Sequence, residues 1–215
     1  MKPLDGPRRE PRNGAIASLI VLLHGYGASG DDLIGLAEAW APDLPGAAFF
    51  APHAPEQLPI AGAGYQWFPL TFRDPGEYWR GVSAAGPALA ATLAAERRRY
   101  GLASARLALV GFSQGTMMAL HVGLRCRDAV AGILGYSGMI AGPEHLAGEI
   151  ASRPPVALVH GDRDEVIPVA ALHDTCEALA AAGLGCAWHV RPGLGHGIDE
   201  IGLRLGAAFL RSVLG

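Results

Sequence analysis

The sequence has little of what would make it anything but a packed water-facing domain. No apolar run approaches the roughly 18 residues that a membrane span requires. There is no internal repeat, no low-complexity tract and no interdomain linker, so residues 1–215 read as a single domain. Charged residues are 17% of the chain and the formal net charge is −3, which gives no electrostatic case for nucleic acid. The one local basic run, Arg97-Arg98-Arg99, reads as the solvated end of a helix, where cations suit the dipole. Only three cysteines occur, Cys126, Cys176 and Cys186, an odd number without metal-ligand spacing. They read as idle reduced thiols in a reducing compartment. Pro3, Asp5 and Pro7 stand where a signal peptide needs an apolar core, so a cytoplasmic location and no stable membrane insertion are expected.

What is present is apolar and full of turns: 50% hydrophobic residues, 30 glycines and 16 prolines. Residues 1–14 read as an irregular entry with one short edge strand. Residues 15–23 form a nearly continuous apolar run, which suits a strand covered on both faces. A turn, His24-Gly25-Tyr26-Gly27, follows, and Asp31 or Asp32 can cap a helix to about Trp40. Further strands are expected at 47–51, 107–110, 129–136, 156–160 and 185–190. Helices are expected at 81–100, from the elbow to about 124, and at 143–150, 169–182 and 198–214. Strand and helix alternate, which argues for an α/β domain, a parallel sheet with helices on both faces. Such sheets place ligands at the carboxyl ends of their strands.

One long segment, 52–80, has no regular pattern and holds Tyr65, Trp67, Phe68, Phe72, Tyr78 and Trp79. A loop that long is usually functional. Its aromatics either cover a site or fill core beneath the loop; the pattern does not choose between them.

The chemistry starts at Gly111-Phe112-Ser113-Gln114-Gly115. An apolar strand stops at Gly111 and a helix-like run begins after Gly115. That is Gly-x-Ser-x-Gly in the setting of a nucleophile elbow. The glycines belong there because strand and helix pass too close for a β-carbon. Serine needs a base, and the base needs an orienting acid. His196 lies between glycines after the last strand. Asp164 follows the strand before it. The order Ser, Asp, His is that of α/β-hydrolases. Asp162 and Asp199 compete for the acid role: Asp162 as a turn residue bonding its own backbone has another use, and so has Asp199 as a helix cap. For an oxyanion the residue after the nucleophile, Gln114, offers its N–H, and a second donor is expected from the loop after the first major strand.

The chain resembles the phospholipase/carboxylesterase family of α/β-hydrolases, which includes acyl-protein thioesterases. The resemblance runs from about Leu19 to the C-terminal helix. It rests on Leu23-His24-Gly25-Tyr26-Gly27, Pro52-His53-Ala54-Pro55, Gln66-Trp67-Phe68, the elbow pentapeptide, His160-Gly161-x-x-Asp164-x-x-x-Pro168, and Gly195-His196. It implies the α/β-hydrolase fold with a mostly parallel central sheet. It implies Ser113 as nucleophile, Asp164 rather than Asp162 as acid, His196 as base and Tyr26 as the second oxyanion donor. His24 then holds its turn instead of acting as a base. No cofactor and no metal are implied. Ester or thioester substrates are expected, a lysophospholipid or an acylated protein among them. From position alone, Trp67, Phe68, Leu70, Met139 and Leu194, with the 67–72 loop, are expected to line the acyl group. Exposed aromatics near the site would suit a homodimer.

Other readings compete. Gly25-x-Gly27-x-x-Gly30 matches a dinucleotide fingerprint, but the second strand ends in Ala51-Pro52-His53, without the acid that would hold a ribose. His160, Asp162, Asp164 and His196 lack the spacing of a metal motif, and His121, His145, His173 and His189 read as surface or satisfied core residues. Met117 and Met118 read as core. A non-catalytic scaffold binding a small apolar ligand is the alternative from another class, and it has no use for three triad groups.

Overall fold

The computed structural model describes residues 3–11, 14–59, 64–71, 74 and 76–215. The strands are β1 (Arg8–Arg9), β2 (Ser18–Leu23), β3 (Ala47–Phe50), β4 (Glu56–Gln57), β5 (Tyr65–Gln66), β6 (Leu107–Phe112), β7 (Gly132–Tyr136), β8 (Val156–Gly161) and β9 (Cys186–Arg191). The helices are α1 (Gly30–Ile34), α2 (Leu36–Trp40), α3 (Glu77–Tyr100), α4 (Gln114–Arg125), α5 (Leu146–Glu149), α6 (Ala170–Ala181) and α7 (Glu200–Leu214). One sheet runs in the order β1-β3-β2-β6-β7-β8-β9, and β4-β5 form a separate ribbon. β1 is antiparallel to β3, and every other pair in the main sheet is parallel.

Continuous hydrophobicity in β2 has a direct reading in this sheet. Leu19, Val21 and Leu23 enter a core with Leu89, Met117 and Leu172 from α3, α4 and α6. Ile20 and Leu22 enter the opposite core with Leu33, Trp40 and Leu210 from α1, α2 and α7. Alternate side chains of one strand thus go to two covered faces. Helix α4 is buried from Gln114 through Leu124, as expected of a helix enclosed by its neighbours. Met117 and Met118 lie in the first core.

The boundaries differ where caps and side-chain docking decide them. The stretch after the His24 turn is two short helices, and its cap is Ser29, not Asp31 or Asp32. Asp32 Oδ2 instead accepts both the N–H (2.7 Å) and the hydroxyl (2.8 Å) of Ser29. Helix α3 begins at Glu77 rather than near Gly81, because Glu77 closes the first turn with Thr71: its Oε2 accepts the Thr71 N–H at 2.9 Å and hydroxyl at 2.7 Å. The 52–80 segment is therefore shorter than expected and carries the β4-β5 ribbon. Phe72 lies outside the described residues. The basic run does end α3, which Gly101 terminates at φ 66°. Asp199 caps α7, accepting from the Gly202 N–H at 2.7 Å.

Candidate active site

Ser113 sits between β6 and α4 at φ 55°, ψ −118°. A positive φ is unusual for a residue with a β-carbon and costs on the order of 1–3 kcal/mol. Its surroundings impose it. A β-carbon on Gly115 would lie 1.9 Å from Leu23 O, and one on Gly111 would lie 2.4 Å from Gly115 O. The Ser113 N–H donates to Tyr136 O at 2.9 Å, and the Thr116 hydroxyl donates to the same oxygen at 2.9 Å. The serine is thus held at the head of α4, with 8% of its surface open.

The His24 turn packs directly on it. A β-carbon on Gly25 would lie 3.2 Å from Ser113 Cβ. Ala54 N–H donates to His24 Nε2 at 2.9 Å, so Nδ1 carries the proton and donates to Gly25 O at 2.8 Å. The buried ring is a turn-holding group, and burial pushes its pKa down. Gly27 takes φ 78° and donates to Tyr65 O at 2.9 Å, while Tyr65 N–H donates to Ala28 O at 2.7 Å. Neither the Tyr26 nor the Gln114 N–H finds a partner among the described residues.

Asp164 and His196 meet across the β8 and β9 loops, with Asp164 Oδ2 at 2.8 Å from His196 Nδ1. The ring of His196 lies against that of Phe112, the residue before Ser113, with centroids 4.9 Å apart. Gly161 lets the two loops close: a β-carbon there would lie 2.2 Å from Leu194 O. Asp164 Oδ1 accepts the N–H groups of Val166 (2.9 Å) and Ile167 (2.8 Å). Burial acts to raise the pKa of this carboxyl, but the Ile167 N–H, His196 and the Val166 N–H outweigh it and hold it below the usual value. The competing acids are occupied elsewhere. Asp162 does not bond its own backbone; Oδ1 accepts the Gly193 N–H across the loops at 2.6 Å. Asp199 caps α7 and pairs with Arg191 at 3.0 Å.

Trp67 and Phe68 are core side chains, 1% and 2% exposed, and the little surface they show lines a cavity of about 590 Å³ with Thr71 and Ala84. They also brace their neighbours. Trp67 Nε1 donates to His24 O at 2.9 Å, and Gln114 clamps the segment, accepting the Trp67 N–H at 2.9 Å and donating to Phe68 O at 2.8 Å. Leu70 and Leu194 are half-buried, and half-buried Met139 lines a cavity of about 370 Å³ with Trp79, Ile140 and Thr175. His121 is also not a satisfied core residue: its buried Nδ1 has no partner among the described residues. Sequence reasoning passed over Ser137, at φ 44° beside the elbow, and assigned no role to His160, whose Nε2 lies 3.2 Å from Asp164 Oδ2. Gly138 was the available sign of the first, since a β-carbon there would lie 2.8 Å from Ser113 O.

The family model for Phospholipase/Carboxylesterase matches residues 9–214. The chain belongs to the phospholipase/carboxylesterase family. Among its relatives, acyl-protein thioesterase 1 of Gibberella zeae is 30% identical, over 91% of this chain and 90% of that protein. Esterase YpfH of Escherichia coli is 27% identical, over 90% of this chain and 82% of that protein. The crystal structure of esterase PE8 superposes with a TM-score of 0.94 at 43% identity, covering 99% of this chain and 100% of that one. This family member is a serine hydrolase with the mostly parallel sheet of the α/β-hydrolase esterases. Among the described residues, no helix is long and apolar enough to cross a membrane, and no cluster of three or more His, Cys, Asp or Glu is arranged to hold a metal ion.

Proposed function

We propose that the protein cleaves carboxylic esters or thioesters through an acyl-enzyme on Ser113. The observation that carries this reading is the 2.8 Å Asp164–His196 contact, with that imidazole packed on Phe112 next to a serine held in elbow geometry. Asp164 accepts from Nδ1–H, so Nε2 is the free base. Ser113 Oγ attacks the acyl carbonyl carbon as His196 takes its proton. The N–H groups of Tyr26 and Gln114 receive the developing oxyanion. Collapse breaks the bond to the alcohol or thiol, which leaves with the proton from His196. Water then attacks the acyl-enzyme by the same steps and frees the acid. The acyl group runs along Met139 and Leu194. Lysophospholipids, acylated proteins and small esters share this chemistry, and a chain-length series of acyl esters and thioesters ranks them.

The direct test is Ser113→Ala, which should lower turnover by a factor on the order of 10⁴–10⁶ with an unchanged melting temperature. A fluorophosphonate should add to the wild type by intact mass and not to the variant. Esterase activity close to wild type in Ser113→Ala would sink the mechanism, and leave a ligand-binding scaffold. Asp164→Asn should cost about 10⁴ in kcat, by analogy with loss of an orienting acid elsewhere, and Asp162→Asn far less. The reverse order would reassign the acid.

A further inference from the structure

We propose that His160 is a positioning residue for this hydrolysis: its ring N–H holds the Asp164 carboxylate in the orientation in which Oδ2 receives His196. The inference rests on the roles of Asp164 and His196 proposed above.

His160 is the penultimate residue of β8, and the turn through Gly161 brings its ring back to the side chain four residues on. Its Nε2 lies 2.8 Å from Ile167 O and 3.2 Å from Asp164 Oδ2. A carbonyl oxygen can only accept, so the proton is on Nε2 and is donated to Ile167 O, with Asp164 Oδ2 3.2 Å from the same nitrogen. The two side chains are 1% and 0% exposed, so water does not compete. Asp164 is therefore contacted on both oxygens. Oδ1 accepts from the Val166 and Ile167 N–H groups; Oδ2 accepts from His196 and lies 3.2 Å from the polar Nε2–H of His160. Ile167 is held twice, its N–H by Asp164 and its carbonyl by His160, which closes a ring of contacts around the carboxylate.

The ring matters because the last torsion of an aspartate is soft. A carboxylate free to turn would present Oδ2 to His196 only part of the time, and misplacement near the reacting atoms is costly. Charge is affected as well. The N–H of His160 draws on the same oxygen that faces His196. Without it, more of the negative charge of Oδ2 falls on the imidazole and favours its protonated form. The titratable side chains placed against this carboxylate are His160 from β8 and His196 from the loop after β9. On the same loops, Asp162 is held by the Gly193 N–H, and Arg191 and Asp199 pair with each other. An apolar residue in place of His160 would fill the space and supply neither effect.

The test compares three variants in steady-state hydrolysis of a p-nitrophenyl ester of a short acid, from about pH 5 to pH 9. His160→Met removes the N–H at similar volume. His160→Asn keeps an amide too short to reach Oδ2. His160→Gln keeps an N–H at the reach of Nε2. For Met and Asn, kcat should fall by about tenfold to a hundredfold with KM within about twofold, and the acid limb of kcat/KM should move up by about half a pH unit. Gln should restore both kcat and the limb. Thermal melts identify the folded variants, and if Met does not fold, the contrast of Asn with Gln carries the same result. An acid limb in the wild-type position for Asn, or a Gln variant no better than Asn, overturns the role of His160. Fluorophosphonate labelling separates the two levels. A wild type that takes no label removes the triad reading beneath it, whereas a labelled wild type with unshifted variants removes only His160.

Discussion

The elbow at Gly111–Gly115 and the aromatic segment at 52–80 both serve Ser113, and they are built in opposite ways. At the elbow, backbone meets backbone. A β-carbon on Gly115 would sit 1.9 Å from Leu23 O, so only one residue type fits and the chain displays it. In the aromatic segment, backbone is held by side chains from distant positions: Gln114 grips Trp67 and Phe68, and the Trp67 indole grips His24. Many sequences could carry those aromatics without that docking. A local steric necessity leaves a mark in the sequence, and a tertiary hydrogen bond does not.

That contrast can be broken most forcefully at Gly115. Gly115→Ala should destabilise by about 4 kcal/mol or more, since the collision is with backbone that cannot rotate away, and it should abolish fluorophosphonate labelling of Ser113. A stable, labelled variant in urea titration would show that the elbow is not sterically closed. A smaller effect is expected at the link between the regions. Gln114→Met leaves the buried Trp67 N–H and Phe68 carbonyl without their partner, at about 1–3 kcal/mol for each group. Calorimetry should show the loss in Tm, with a fall in kcat because the His24 turn loses its brace. An unchanged Tm would mean that the segment holds itself.

The mildest probe is pH, read where the two regions touch. His121 on α4 lies edge-on to Trp79, ring centroids 5.4 Å apart. Burial, with Arg125 adding to it, pushes the His121 pKa down from 6.5 to about 4. Between those values the unfolded chain binds a proton that the folded protein refuses. This contribution is complete above pH 6.5 and is lost as pH falls toward about 4. His121→Leu should therefore flatten part of the decline in Tm over that window. A decline as steep as in the wild type would show that His121 does not stay neutral against Trp79.

The same distinction separates what could be read early from what could not. The placement of Ser113, Asp164 and His196 after β6, β8 and β9 was legible, because apolar runs and glycine turns mark strand ends. The resemblance pointed to Asp164, but the residue pattern alone left Asp162 and Asp199 as rivals. Asp162 loses its claim through the Gly193 N–H, a residue 31 positions away. That Trp67 and Phe68 are core side chains held by Gln114 and His24 was not legible either, because their partners are more than forty positions away. His160 stood in the same motif as Asp164, but nothing in that motif showed that its ring turns back to the carboxylate four residues on.

By itself the sequence determined the alternation of strands and helices, the two-faced burial of β2 and the site of the elbow. Each follows from short-range rules of side-chain period and backbone clearance. Only the tertiary structure decided that Asp164 and His196 come within hydrogen-bond distance and that Trp67 braces the His24 turn. Those are hydrogen bonds between groups 32 and 43 positions apart in the chain, and such partners meet only when the sheet brings its strand ends together.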